Sequence, residues 1–69
     1  MKILVNGELQ THNTSSVSVE QLIQINNVQD PDYVSVQLNS SFVKRESFGE
    51  TLLKENDEID FLYFMGGGK

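Results

Sequence analysis

Two hydrophobic periods alternate along the chain, and the switches between them mark its elements. Residues 2–5, Lys2-Ile3-Leu4-Val5, form a short and mostly apolar run, and Asn6-Gly7 follows it. That dipeptide suits a two-residue hairpin turn, whose central positions both take positive φ. The second arm, Glu8 to about His12, is polar and reads as an edge strand with one side in water. Asn13-Thr14-Ser15-Ser16 is then a loop. Ser18 is placed to cap a helix: its hydroxyl can accept from a free N–H of the first turn, and Gln21 stands at the capping-box spacing. Val19, Leu22 and Ile23, with Ile25 beside them, crowd one side of that helix, while Glu20, Gln21 and Gln24 stay polar. Asn26-Asn27 ends it, and Asp30-Pro31 blocks continuation because the residue before a proline is driven out of the α region.

From Tyr33 the period becomes two. Val34, Val36 and Leu38 alternate with Ser35, Gln37 and Asn39, as in a strand with one wet face. Asn39-Ser40-Ser41 turns the chain into a brief return strand, Phe42-Val43-Lys44, and Arg45 to Glu50 is polar around Phe48, with Gly49 as an irregular point. Thr51-Leu52-Leu53 is a small apolar anchor, Lys54 to Asp57 a second turn, and Glu58 to Phe64 the longest strand signal in the chain. Strand, strand, helix, strand, strand, strand in so few residues predicts an α+β domain: a mixed sheet of four to five strands with one helix packed on one face. If the last strand enters the centre beside the first, the arrangement is a β-grasp. Ile3, Val5, Val34, Val36, Leu38, Ile59 and Phe61 can then all face Val19, Leu22 and Ile23.

Size and charge narrow the functions open to such a domain. Sixty-nine residues leave no room for a second domain or a large cofactor cleft. The chain has no Cys and one His, which removes disulfide scaffolds, thiolate nucleophiles and zinc sites built from several Cys and His. Its net charge of −5 has the wrong sign for neutralising phosphates, so nucleic acid is not an expected partner. The first apolar stretch breaks at Asn6, too early for a signal peptide or membrane span, and the expected compartment is the cytoplasm.

Candidate chemistry is sparse until the end of the chain. His12 lies near Ser15, Ser16 and Ser18, but a nucleophilic arrangement needs a third group and an oxyanion site, and an exposed polar residue is the simpler reading. Glu46, Glu50, Glu55, Asp57, Glu58 and Asp60 lack the spacing of a calcium loop; they read as a solvated surface or as a patch that steers towards a basic partner. Gly66-Gly67-Gly68 cannot cradle a phosphate, because only Lys69 follows and no helix presents its N-terminus. A domain over residues 1–65 with a flexible tail over 66–69 is expected instead. Such a tail, lacking Cβ atoms at three positions, can thread a narrow channel and present its terminal carboxylate inside another enzyme. In a regular last strand Leu62 and Phe64 share the face opposite the core with Asp60, and Leu4 of the first strand can join them as a partner-docking surface.

Taken in order, these segments resemble the ThiS family of sulfur carrier proteins, ubiquitin-like relatives of MoaD. The resemblance is carried by Ile3-Leu4-Val5-Asn6-Gly7, by Ser18-Val19-Glu20-Gln21-Leu22-Ile23, by Val34 to Asn39 and by Phe42-Val43-Lys44-Arg45. It continues through Leu53 to Ile59 and Phe64-Met65-Gly66-Gly67-Gly68. It implies a carrier rather than an enzyme, with no bound cofactor. An E1-like, ThiF-like adenylyltransferase would use ATP and Mg²⁺ to activate the carboxylate of Gly68, and a sulfur donor would displace AMP to leave a thiocarboxylate. A thiazole synthase, ThiG-like, would take the sulfur for thiamine. Carriers for cysteine, homocysteine, methionine or molybdopterin synthesis, and a ubiquitin-like modifier or interaction module, are the alternatives. Lys69 departs from the pattern, since Gly68 is tied up in an amide until a peptidase removes it.

Overall fold

The computed structural model describes residues 1–63. β1 (Lys2–Val5) and β2 (Glu8–Thr11) form an antiparallel hairpin around Asn6 (φ 50) and Gly7 (φ 84), the positive-φ pair that the dipeptide predicts. β3 (Val17–Ser18) leads directly into α1 (Val19–Ile25). The capping box is complete: the Ser18 hydroxyl accepts from the Gln21 N–H at 3.0 Å and the Gln21 side chain accepts from the Ser18 N–H at 3.0 Å. These two bonds let Ser18 lie buried without an unmet polar group.

β4 (Ser35–Leu38) and β5 (Ser41–Val43) form the second hairpin, turned by Asn39 (φ 52) and Ser40 (φ 74). A 3-10 turn (Arg45–Ser47) and β6 (Leu52–Leu53) follow, and β7 (Glu58–Leu62) completes the set. β7 runs parallel to β1 and antiparallel to β4, giving the five-stranded order β2-β1-β7-β4-β5. The fold is the β-grasp expected from the sequence, with the last strand at the centre.

One face of this sheet packs on the helix. Ile3, Val5, Val34, Val36, Ile59 and Phe61 join Val19, Leu22 and Ile23 in a single buried cluster, each contributing about 1.5–3 kcal/mol if fully removed from water. Leu38 is only half-buried at its margin. Ile25 is 52% exposed, contrary to its expected place on the apolar side. In a helix of 3.6 residues per turn it stands about 110° round from the centre of the Val19, Leu22 and Ile23 stripe. Three further residues enter the core. Val17 and Leu53 pair with each other in a two-stranded ladder, β3 with β6, that the sequence does not announce. Phe48 is folded inward after the 3-10 turn, where its carbonyl accepts from the Glu20 N–H at 3.1 Å. Among the described residues no helix is long and apolar enough to cross a membrane.

Candidate functional site

Of the residues the sequence marks as functional, Leu62 lies at the end of β7, the last strand described. That strand is regular: Ser35, Val36, Gln37 and Leu38 pair in turn with Leu62, Phe61, Asp60 and Ile59, with no bulge. Ile59 and Phe61 therefore point to the core, and Asp60 and Leu62 to the outer face of the sheet. β1 stops earlier than β7, at the Val5–Ile59 pair. The Asn6 side chain fills the place of the missing strand, its Oδ1 accepting from the Phe61 N–H at 2.8 Å, while the Asn6 N–H donates to the Ile59 carbonyl at 2.9 Å. Beyond Leu62, the Tyr63 hydroxyl donates to the carbonyl of Gln29 in the segment after the helix. The root of the C-terminal segment is thus held on two sides.

Leu4 also lies on the outer face, but opposite Glu58 rather than beside Leu62. The two leucines are separated by the length of β7, about 13 Å at 3.3 Å per residue, with Asp60 between them. Two more apolar residues share this face. Leu9 pairs with Leu4 and is 64% exposed, and Phe42 pairs with Gln37 and is 62% exposed. Both follow from hairpin register once the turn residues are fixed, because a two-residue turn at Asn6-Gly7 sets Val5 against Glu8 and hence Leu4 against Leu9. The outer face therefore presents leucine and phenylalanine around a central carboxylate. Phe64, Gly66, Gly67, Gly68 and Lys69, and the expected boundary at residue 65, lie outside the described residues.

The remaining candidates are placed as surface groups. His12 Nε2 is 3.0 Å from Gln10 Oε1, in a chain of side-chain hydrogen bonds that continues from Gln10 Nε2 to Asn26 Oδ1 at 2.6 Å. The chain ties the edge strand to the end of the helix and holds no nucleophile. Of the late carboxylates, Asp57 takes structural bonds, accepting from the Lys54 N–H at 2.8 Å and the Asn39 amide at 3.0 Å. Glu55 accepts from the Lys2 N–H at 3.1 Å. Among the described residues no three His, Cys, Asp or Glu side chains come together as a metal site.

Known proteins align with this geometry over almost the whole chain. The ThiS family model matches residues 3–68. The crystal structure of the thiamine biosynthesis protein ThiS from Geobacter metallireducens superimposes with a TM-score of 0.92 at 40% identity, covering 99% of this chain and all of that one. The solution structure of a thiamine biosynthesis protein from the same organism gives 0.79 at 41% identity, over 100% of this chain and 90% of that one. Two curated relatives are thiazole synthases: one from Magnetococcus marinus is 33% identical over 69 residues, and one from Paramagnetospirillum magneticum is 31% identical over 68. The chain spans about a fifth of their length, 21% and 20%. With a family match through the glycine run and a full-length structural likeness to ThiS, the chain belongs to the ThiS family of sulfur carrier proteins.

Proposed function

We propose that this chain carries sulfur for thiazole formation in thiamine biosynthesis, on the carboxyl group of Gly68 once a peptidase has removed Lys69. The observation that carries the reading is the family match running to residue 68, across Gly66-Gly67-Gly68. A free carboxylate is a poor electrophile. Attack by a Gly68 carboxylate oxygen on the α-phosphorus of ATP, in an E1-like ThiF-like enzyme with Mg²⁺, would release pyrophosphate and leave an acyl-adenylate. Sulfur from a donor would then displace AMP, and the thiocarboxylate would serve a ThiG-like thiazole synthase as nucleophile. The two thiazole synthase relatives, which contain a segment matching this chain, support that acceptor.

In this scheme the chain contributes position rather than catalysis. Gly66 and Gly67 thread the partner's channel, where a side chain would obstruct passage. Leu4, Leu9, Phe42 and Leu62 share the outer face, on which the activating enzyme would dock, and Phe64 would extend that contact if the alternation of β7 continued. The absence of Cys is consistent with sulfur held on a backbone terminus.

Intact mass of the protein from its own cells tests this directly. The expected spectrum shows loss of Lys69 and replacement of one oxygen by sulfur, and Gly68→Val abolishes the sulfur gain while leaving the fold intact. Retention of Lys69 with no sulfur gain, even with activating enzyme and ATP supplied, would overturn the reading.

A further inference from the structure

The helix side of the molecule carries a groove of about 740 Å³ for which sulfur transfer has no evident use. Its floor is apolar, made by the nearly buried Ile23 and Phe48 and the half-buried Val28. Its rim is acidic: the exposed carboxylates of Glu20, Asp32, Glu46 and Glu50 stand against one cation, Arg45, leaving a net charge of −3. The guanidinium of Arg45 is turned onto the protein's own backbone. Nη1 donates to the Pro31 carbonyl at 2.6 Å and Nη2 to the Val34 carbonyl at 2.7 Å, and the group lies 5.4 Å from the centre of the Phe48 ring. On the other wall the Glu20 N–H is bonded to the Phe48 carbonyl, and the Glu20 carboxylate lies so close over Gly49 that a Cβ there would be 2.8 Å from Oε1. These contacts hold the walls in place before anything binds, so a partner would spend little on ordering them.

An acidic rim around an apolar floor complements basic side chains interleaved with apolar ones. We propose that this groove docks a Lys- or Arg-bearing, partly apolar peptide segment of a partner protein. A second copy of this chain, at −5, is a poor match in charge. The groove lies on the helix side of the sheet, opposite the face of Leu4 and Leu62, so both faces can be occupied at once. Gln29, whose carbonyl accepts from the Tyr63 hydroxyl, lies in sequence between the groove residues Val28 and Pro31, so one wall of the groove is tied to the last described residue. The binding does not rest on the carrier reading.

The test is an NMR titration of the full-length, isotope-labelled chain with a capped heptapeptide of alternating lysine and leucine. Shifts centred on Ile23, Val28, Phe48 and Gly49 are expected. The double variant E46Q/E50Q weakens binding about fivefold, the size of two partly screened ion pairs, and a lysine–serine version of the peptide binds several-fold more weakly. Shifts centred on Leu4 and Leu62, unchanged affinity in E46Q/E50Q, equal binding of the lysine–serine peptide, or no shifts at millimolar peptide would each overturn the proposal. No sulfur chemistry enters the titration, so its failure leaves the carrier reading standing, and a missing thiocarboxylate leaves the groove standing.

Discussion

The two hairpins are built alike and fastened differently. Each turns on an asparagine in the left-handed region, Asn6 in the first and Asn39 in the second, and each asparagine side chain reaches across to β7. Asn6 holds the Phe61 N–H at the end of β7 that leads to the C-terminal segment; Asn39 holds the Glu58 N–H at 2.9 Å where β7 begins. The first bond is partly buried and the second exposed. Backbone bonds accompany both side chains, the Asn39 N–H donating to the Glu58 carbonyl at 2.7 Å and the Asn6 N–H to the Ile59 carbonyl at 2.9 Å, and Asn39 adds a third bond from its amide to Asp57 Oδ1 at 3.0 Å. What sets Asn6 apart is its place: beyond the end of β1, its side chain stands where a strand would pair with Phe61. A turn residue in this fold serves a strand to which its own hairpin does not lead.

Breaking these fastenings should show the difference. Asn6→Ala removes a left-handed former and leaves the Phe61 N–H without its acceptor, an expected loss of about 2–3 kcal/mol. It should lower the urea midpoint and speed exchange of the Phe61 amide most. Asn39→Ala carries the same left-handed strain but gives up only exposed side-chain bonds, which water can replace, and should cost about 1–2 kcal/mol by the same unfolding measurement; a larger loss than for Asn6→Ala would reverse the comparison. The smallest effect concerns the second turn position, Gly7 in one hairpin and Ser40 (φ 74) in the other. Ser40→Gly relieves the side chain of a conformation that glycine adopts freely and should raise stability by about 0.5 kcal/mol, visible as a small rise in thermal midpoint.

Local chemistry explains which parts of this structure could be read in advance. Asn6-Gly7 and the Ser18/Gln21 pair act within a few residues of themselves, and both are where the sequence places them. Alternation placed Ile59 and Phe61 in the core and Asp60 and Leu62 outside it, because no bulge interrupts β7. Leu53 belongs to the apolar anchor that the sequence marks, whereas Val17 and the pairing of the two escape it, since a ladder of two residues per strand has no period to detect and its partners lie far apart in sequence. Phe48 escaped for a similar reason: its neighbours are polar, and a backbone bond from the helix draws it inward. Leu9 and Phe42 were legible from register but hidden by their polar surroundings. The groove was not legible at all, because the helix, the segment after it and the 3-10 turn meet only in the folded chain. The glycine run is visible in any reading, whereas the chemistry proposed for it rests on the family match.

The parallel pairing of β1 with β7 joins the first strand of the sheet to its last. During synthesis the two hairpins can form as they emerge, yet neither can be joined to the other until Glu58 to Leu62 have been made. A chain interrupted before that strand lacks the centre of its sheet and also lacks the glycines that follow it. Topology therefore couples the two ends of the gene product: a prematurely ended chain can neither complete the fold nor carry the glycine run on which the proposed function depends.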